Sequence, residues 1–482
     1  MARQPIRLQT GPKRSTQRIS VEDEAGAGSP SVSVGTVARS TDNYSASTPP
    51  NHIFGPVFEN STYTPPSAFP PSSTSQFRDS FSVQPFGSSQ RGPSWGGLLN
   101  AHEPPQGRDL PLEGVQEACL LRYFIEDLSP WFDLVDPQRR YQLIVPERAR
   151  RYPPLLNAIL AMSARHLSRL QKYKTPRGII YRGQALPNLT SGTAVEYMLK
   201  CISVLKDFHT TQDGEIRELI VTTAVILRHF EELDDQDSES GMEVDEGVNF
   251  LAILNAVLRS LTADDLSHRR ELLNASYWIA LRQEVYYALL KGFAPQIVEP
   301  PAEWVDISPA NKLVSHTNQV TKWLFSDKSE SGWQKLKEQE GYLDEYVTGR
   351  FAPILYRPPD KVSGEVFPTM WFASPIALTG MQHMMIAKMI LLAESPLLSR
   401  AEDVRAAYRK AEGDVRNLVL EVCGTAVQHP DTQPALVNAA LAIQMYGSYF
   451  TDPWEREALR RTVKMFKDCQ AWPLPKALKD FL

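Results

Sequence analysis

The stretch Leu120–Leu167, LLRYFIEDLSPWFDLVDPQRRYQLIVPERARRYPPLLNAILAMSARHL, limits what this chain can become more than any other part of it. Leu120, Leu121, Phe124 and Leu128 recur at spacings of one, three and four, which lines them along one face of a helix. Pro130 lacks the amide that a helix interior needs, so the helix is expected to stop there. Pro153-Pro154 then opens a second helix, since a missing amide costs nothing in a first turn. Leu155, Leu156, Ile159, Leu160, Leu167 and Leu170 form its buried face. Between the two helices lies a short aromatic turn. No nucleophile, metal-ligand set or phosphate-cradling loop stands anywhere in the stretch. Dense packing without chemistry points to a regulatory or interaction domain.

The helical period continues to the C-terminus. Further helices are expected near 191–208, 213–231, 247–262, 268–291, 309–326, 330–347, 374–394, 401–424, 433–449 and 455–470. Period-two alternation is nearly absent, with Gly178–Tyr181 and Glu365–Phe372 the only strand-like pieces. The fold class is therefore all-α, one large multi-helix domain over residues 111–482, and no fixed-period repeat argues for a solenoid. Residues 1–110 are rich in Ser, Pro and Gly and cannot bury enough apolar surface to offset chain entropy. They are expected to be a disordered N-terminal region. Arg3, Arg7, Lys13, Arg14 and Arg18 make its first twenty residues basic, as a nuclear-import or DNA-brushing arm, a weak imitation of a mitochondrial presequence or simply a solvated tail would be. Aromatics scattered from Phe54 to Trp95 could dock short motifs onto a partner.

Charge and cysteine usage remove several classes. The net charge of −5 is wrong for a surface that grips nucleic acid throughout, because Lys and Arg neutralisation of phosphate supplies most non-specific affinity. DNA contact is expected to be indirect or weak. Cys119, Cys201, Cys423 and Cys469 lie far apart and form no C-x2-C pair, which disfavours both a zinc site and a disulfide framework. The N-terminus has no apolar core of a secretory signal, and Lys388 interrupts the longest apolar run, MMIAKMILLA. No membrane association is expected, so the N-x-S/T sites at Asn43, Asn60, Asn188 and Asn274 carry little meaning.

An all-α chain prompts a search for terpene cyclisation, in which carboxylates near a helix end hold Mg2+ against a diphosphate. Asp234-Asp235-Gln236-Asp237-Ser238-Glu239 imitates the first metal motif, after a helix expected to end near Phe230. The nearest match to the second, Asn188, Gly192 and Glu196, lies upstream and has Leu where Asp is needed. The run from Glu231 to Glu246 reads instead as an exposed acidic connection. His209 and His229 stand twenty residues apart, and His229-Phe230-Glu231-Glu232 lacks the second His of a zinc-protease helix. His166 and His383 lie in apolar helices and are read as core histidines. Trp131, Trp278, Trp371, Trp454 and Trp472 are read as packing anchors. No catalytic, cofactor-binding or metal residues are assigned, and no cofactor is expected.

The opening stretch resembles the regulatory region of fungal zinc-cluster transcription factors, the fungal-specific transcription factor domain. Further segments are similar to the same family: Ala275–Tyr287 (ASYWIALRQEVYY), Pro353–Phe372 (PILYRPPDKVSGEVFPTMWF) and Ile376–Leu392 with Thr379-Gly380-Met381-Gln382-His383. Val422-Cys423-Gly424-Thr425-Ala426, Gln444–Asp452 and Ala471-Trp472-Pro473 complete the set.

The resemblance implies a helical regulatory module in the nucleus that contacts protein partners, either a DNA-binding transcription factor or the transcription machinery, with a small-molecule effector as a further expected contact. Relatives of this kind often accompany secondary-metabolite gene clusters. The family's usual DNA reader is a six-cysteine binuclear zinc cluster, yet no cysteine precedes Cys119, and no heptads supply a coiled coil. Three explanations stand: a cluster-less coregulator, a chain whose cluster-bearing first exon was lost, or a domain that has left transcription. The functional expectation is a transcriptional regulator or coregulator without its own zinc cluster. The alternatives are a small-molecule-sensing helical scaffold outside the nucleus and, disfavoured, a metal-dependent all-α enzyme.

Overall fold

The computed structural model describes residues 111–233, 250–260, 271–297, 299, 307–432, 434–470, 472, 474–479 and 481. The expectations placed on the N-terminal region, on Asp234–Glu239 and on the rest of the acidic run after Leu233 lie outside them. Among the described residues helices dominate, with chain order α1 (Val115–Tyr123), α2 (Pro153–Arg169), α3 (Ser191–Lys206), α4 (Gly214–Glu232), α5 (Phe250–Arg259), α6 (Glu271–Lys291) and α7 (Pro309–Leu324). They continue as α8 (Glu330–Tyr346), α9 (Pro375–Ala393), α10 (Val404–Gln428), α11 (Pro434–Tyr446) and α12 (Pro453–Gln470). Short helical turns fill many of the joints.

The helix starts follow from local chemistry. Oxygen side chains of Thr190, Asp213, Ser308, Ser329, Ser374 and Asp403 accept hydrogen bonds from first-turn amides that have no partner within the helix. Prolines occupy the first turn of α2, α7 and α9, where their missing amide is harmless.

The helices pack in succession: α1 on α2, α2 on α3 and α4, and α4 on α5 and α6. Beyond these, α6 packs on α7, α7 on α8 and α9, α9 on α10 and α11, and α11 on α12. A large buried apolar cluster runs through them from Cys119 to Leu478, and a small second one gathers Leu313, Leu343, Val347 and Met384 where α7, α8 and α9 meet. Helix α9 is apolar around its circumference, as a helix covered on every side must be. The segment Pro375–Arg400 is long and apolar enough to cross a membrane, and 72% of that window is buried inside the domain. Lys388 reaches out to Asp344 of α8 at 2.7 Å, so its charge stays at the rim of the core.

Two of the close approaches made at glycines bring separate elements of the core together. A Cβ at Gly424 would come within 2.7 Å of the Pro368 carbonyl, so only glycine lets that loop lie on α10. At Gly380 it would meet Leu313 at 3.3 Å and Ala310 at 3.4 Å, where α9 presses on α7.

Strand content is small. An antiparallel sheet joins β1 (Lys174–Thr175), β2 (Gly178–Tyr181) and β3 (Gln184–Leu186), and a separate hairpin pairs β4 (Leu355–Arg357) with β5 (Thr369–Trp371). The sequence predicted strands at β2 and around β5. The partners β1, β3 and β4 are too short to show a period of their own.

Pro130 does not end the first helix as expected. The chain stays helical from α1 through a wider turn at Phe124–Leu128 and restarts at Ser129–Phe132, with Pro130 in the new first turn. The wider turn absorbs the missing amide, and Ser129 Oγ donates to the Ile125 carbonyl at 2.9 Å. A 3-10 turn at Asp133–Val135 then carries the chain into the aromatic region.

Candidate functional site, an interior cavity

The aromatic turn folds into a knot. Phe132 stacks on Tyr141 with ring centroids 5.0 Å apart and an interplanar angle of 2°, and it also touches Phe124. Tyr123, Tyr173 and Tyr181 meet edge to face, the last delivered by β2. His166 Nδ1 and Tyr123 Oη share a 2.6 Å hydrogen bond, and Trp131 stands edge-on to the same imidazole. Asp133 is buried, but both its oxygens are engaged, accepting from the amides of Tyr141 and Gln142 at 2.9 Å each. Burial nevertheless pushes its carboxyl up to about 7.

The knot forms one wall of a cavity of about 80 Å³, several times what one water requires. Trp131 and Leu134 come from the knot, His229 and Glu232 from the end of α4, and Arg282, Gln283 and Tyr286 from α6. Thr379 and His383 of α9, Asn438 and Leu441 of α11, and Trp472 close it. Ile279, Leu289, Ile386 and Val437 keep most of the remaining lining apolar.

This lining is under-satisfied. Glu232 Oε1, Arg282 Nη1, Gln283 Oε1 and His383 Nδ1 are buried without a hydrogen-bond partner. Arg282 donates through Nη2 to the Phe132 carbonyl at 3.0 Å. Burial draws its guanidinium down to about 10, so it stays cationic near neutral pH, with Asp133 the strongest opposing charge. Gln283 Nε2 donates to His229 Nδ1 and to the Val225 carbonyl. Glu232 Oε1 stands 3.6 Å from Arg228 Nη2, and burial pushes the carboxyl up to about 7 against that attraction. Burial, reinforced by the Arg282 charge, drives both His229 and His383 down to about 3, so both are neutral. Such an arrangement can bind and orient a polar molecule in an apolar chamber.

The histidines expected in the core are there, but they differ in kind. His166 is held in the knot, whereas His229 and His383 face one chamber from 154 residues apart, a juxtaposition no sequence spacing displays. Glu232 is a correction, because it was read as part of an exposed acidic run. It extends α4 by two residues beyond Phe230 and turns inward beside Arg228. Arg282-Gln283 carried a signal that was missed. Arg282-Gln283 is followed by Glu284, and in a helix flanked by apolar residues on both sides of that run the three have little solvent face to occupy and are buried together. Among the tryptophans, Trp131, Trp278 and Trp472 are packed, while Trp371 is 50% and Trp454 76% exposed and anchor nothing.

Gln382, one residue from His383, has a different job. Its amide donates to Thr425 Oγ1 at 3.0 Å and accepts from Asn438 Nδ2 at 3.0 Å, tying α9, α10 and α11 together behind the cavity. The cysteines do not converge: Cys119, Cys201 and Cys423 are buried singly and Cys469 is exposed. Among the described residues no group of three or more His, Cys, Asp or Glu side chains is arranged to hold a metal ion.

Comparison with known families falls on the segment that builds the knot and one cavity wall. Residues 119–242 match the fungal specific transcription factor domain. The resemblance read from the opening stretch therefore has independent support, and the match runs from α1 through α4. No curated protein and no solved structure matches the chain. The family-like segments from Ala275 onward lie beyond the match, although α6 and α9 supply the other cavity walls.

Proposed function

We propose that the protein is a transcriptional regulator or coregulator of the nucleus, acting through protein partners and lacking zinc-cluster DNA binding of its own. The observation that carries this is the match of residues 119–242 to a transcription factor domain. The cysteines support the second half, since the four in this sequence are dispersed and three are buried, leaving none to build a binuclear cluster. Promoter contact then falls to a DNA-binding partner. The helical domain receives signals and presents surface, and it transforms no substrate. Control of a secondary-metabolite gene cluster is the target set most in keeping with such a regulator.

Transcript profiling after deletion, joined to promoter occupancy of the tagged protein, tests this. Coordinated loss or gain of a gene set whose promoters the protein occupies is the expected result. An unchanged transcriptome with the protein excluded from nuclei contradicts it. The cavity favours a second reading, a small-molecule-sensing scaffold outside the nucleus, and that localisation result would select it.

A further inference from the structure

We propose that the sheet β1–β3 and its flanks form a sequence-independent contact for the phosphate backbone of duplex DNA, holding the regulator on a promoter to which a partner has brought it. The inference rests on the regulatory reading for its purpose, yet its binding test can fail while that reading stands.

The chain is acidic overall, but its charge is unevenly laid out. No Asp or Glu stands between Glu147 and Glu196, while nine Lys and Arg do. Four of them, Lys172, Lys174, Arg177 and Arg182, lie in or beside the sheet, and all four are exposed. The turns place them. Lys174 sits in β1 opposite Ile179, and Arg177 occupies the two-residue turn into β2. Arg182-Gly183 makes the turn into β3, with Arg182 at φ +50°, in the left-handed region where Gly, Asn or Asp is the usual residue. A cation is held at that tip against the local preference of the backbone. Strands rise about 3.3 Å per residue, so Arg177 and Arg182 at the two ends of β2 stand roughly 15 Å apart, enough to reach phosphates on both sides of a duplex groove.

The neighbouring acids do not neutralise this corner. Lys174 and Arg177 form no ion pair with any described residue. Arg122, at the end of α1, and Arg182 share one carboxylate, Glu126, at 2.8 Å each. Burial raises the carboxyl of Asp127, opposed by the Tyr181 hydroxyl and by the charges of Lys172 and Arg182. Asp468, at the end of α12, is taken up by Lys464. The sheet is also short of apolar surface, since Ile180, 36% exposed, is its one exposed large hydrophobic side chain. An acidic peptide needs apolar anchors seated in a pocket, whereas a sequence-independent hold on DNA comes from charge.

Anisotropy of a labelled duplex of about 30 base pairs and arbitrary sequence, titrated with the full chain, tests the assignment. Saturable binding is expected at about 50 mM salt, weakening at least tenfold by about 200 mM. Lys172→Glu, Lys174→Glu and Arg177→Glu combined should weaken it at least tenfold and lower the slope of log affinity against log salt by about 3. The matched reversal of exposed cations that precede α2, Arg139→Glu, Arg150→Glu and Arg151→Glu, should change affinity by less than about threefold. So should conversion of Arg3, Arg7, Lys13, Arg14 and Arg18 to Gln. Bound DNA should also shield Lys172 and Lys174 of the parent chain from acetylation, a readout that needs no variant. No binding at about 50 mM salt, affinity carried instead by either control set, or unshielded Lys172 and Lys174 would each overturn the proposal. Binding of polyglutamate in place of DNA would overturn it in favour of an acidic protein partner.

Discussion

His166 and His383 lie in apolar helices, are both almost wholly buried, and meet opposite surroundings. His166 belongs to the aromatic knot, where Tyr123 holds its Nδ1 and Trp131 its edge. His383 belongs to the cavity wall, where its Nδ1 has no partner. The same contrast separates their carboxylates. Asp133 in the knot accepts two backbone amides, whereas Glu232 in the cavity wall keeps one oxygen without a hydrogen bond. A satisfied polar group defines one structure at little net cost, and an unsatisfied one costs stability. The knot satisfies its polar groups within the chain, whereas the cavity wall satisfies its own only in part.

The largest expected effect lies in the knot. Phe132→Ala removes a fully buried ring that stacks on Tyr141 and touches His229, and should cost about 3–5 kcal/mol in urea unfolding. A loss below about 1 kcal/mol would mean the knot is not the structural element. Asp133→Ala should follow at about 2–3 kcal/mol, because it orphans the buried Tyr141 amide and the half-buried Gln142 amide.

The histidine pair tests the contrast itself. His166→Leu strands the Tyr123 hydroxyl and should cost about 1–3 kcal/mol, while His383→Leu should change stability by less than about 1 kcal/mol or raise it. Equal losses would erase the distinction. The smallest effect is in pH dependence. His383 is held neutral, its folded value depressed to about 3 against about 6.5 unfolded. The unfolded chain therefore binds the extra proton, and this contribution is full above about pH 6.5 and lost as pH falls toward 3. His383→Leu should gain on the parent increasingly below about pH 6.5, with the gap constant above it. Asp133 and Glu232, raised to about 7, lose their contributions as pH rises toward 7 in both proteins and cancel in the difference.

Helix placement was legible because it rests on a local apolar period and on prolines that the sequence displays. The helices expected to open near 191, 309 and 374 and at the proline pair 153–154 do start there, and the structure adds Thr190, Ser308 and Ser374 as the caps of the first three. The Pro130 expectation failed because a proline is read as a stop unless a wider turn precedes it, and such a turn has no sequence mark. The cavity was not legible, since Glu232, Arg282, His383 and Trp472 converge only through long-range packing. Its one visible trace was the Arg282-Gln283 pair in an apolar helix.

Tethering the full chain to a heterologous DNA-binding module upstream of a reporter gene addresses the central claim most directly. Transcription changed at least severalfold in either direction, with the tethering module alone inert, is the outcome this account requires. An unchanged reporter, with the fusion intact in nuclei and bound at its site, would contradict it.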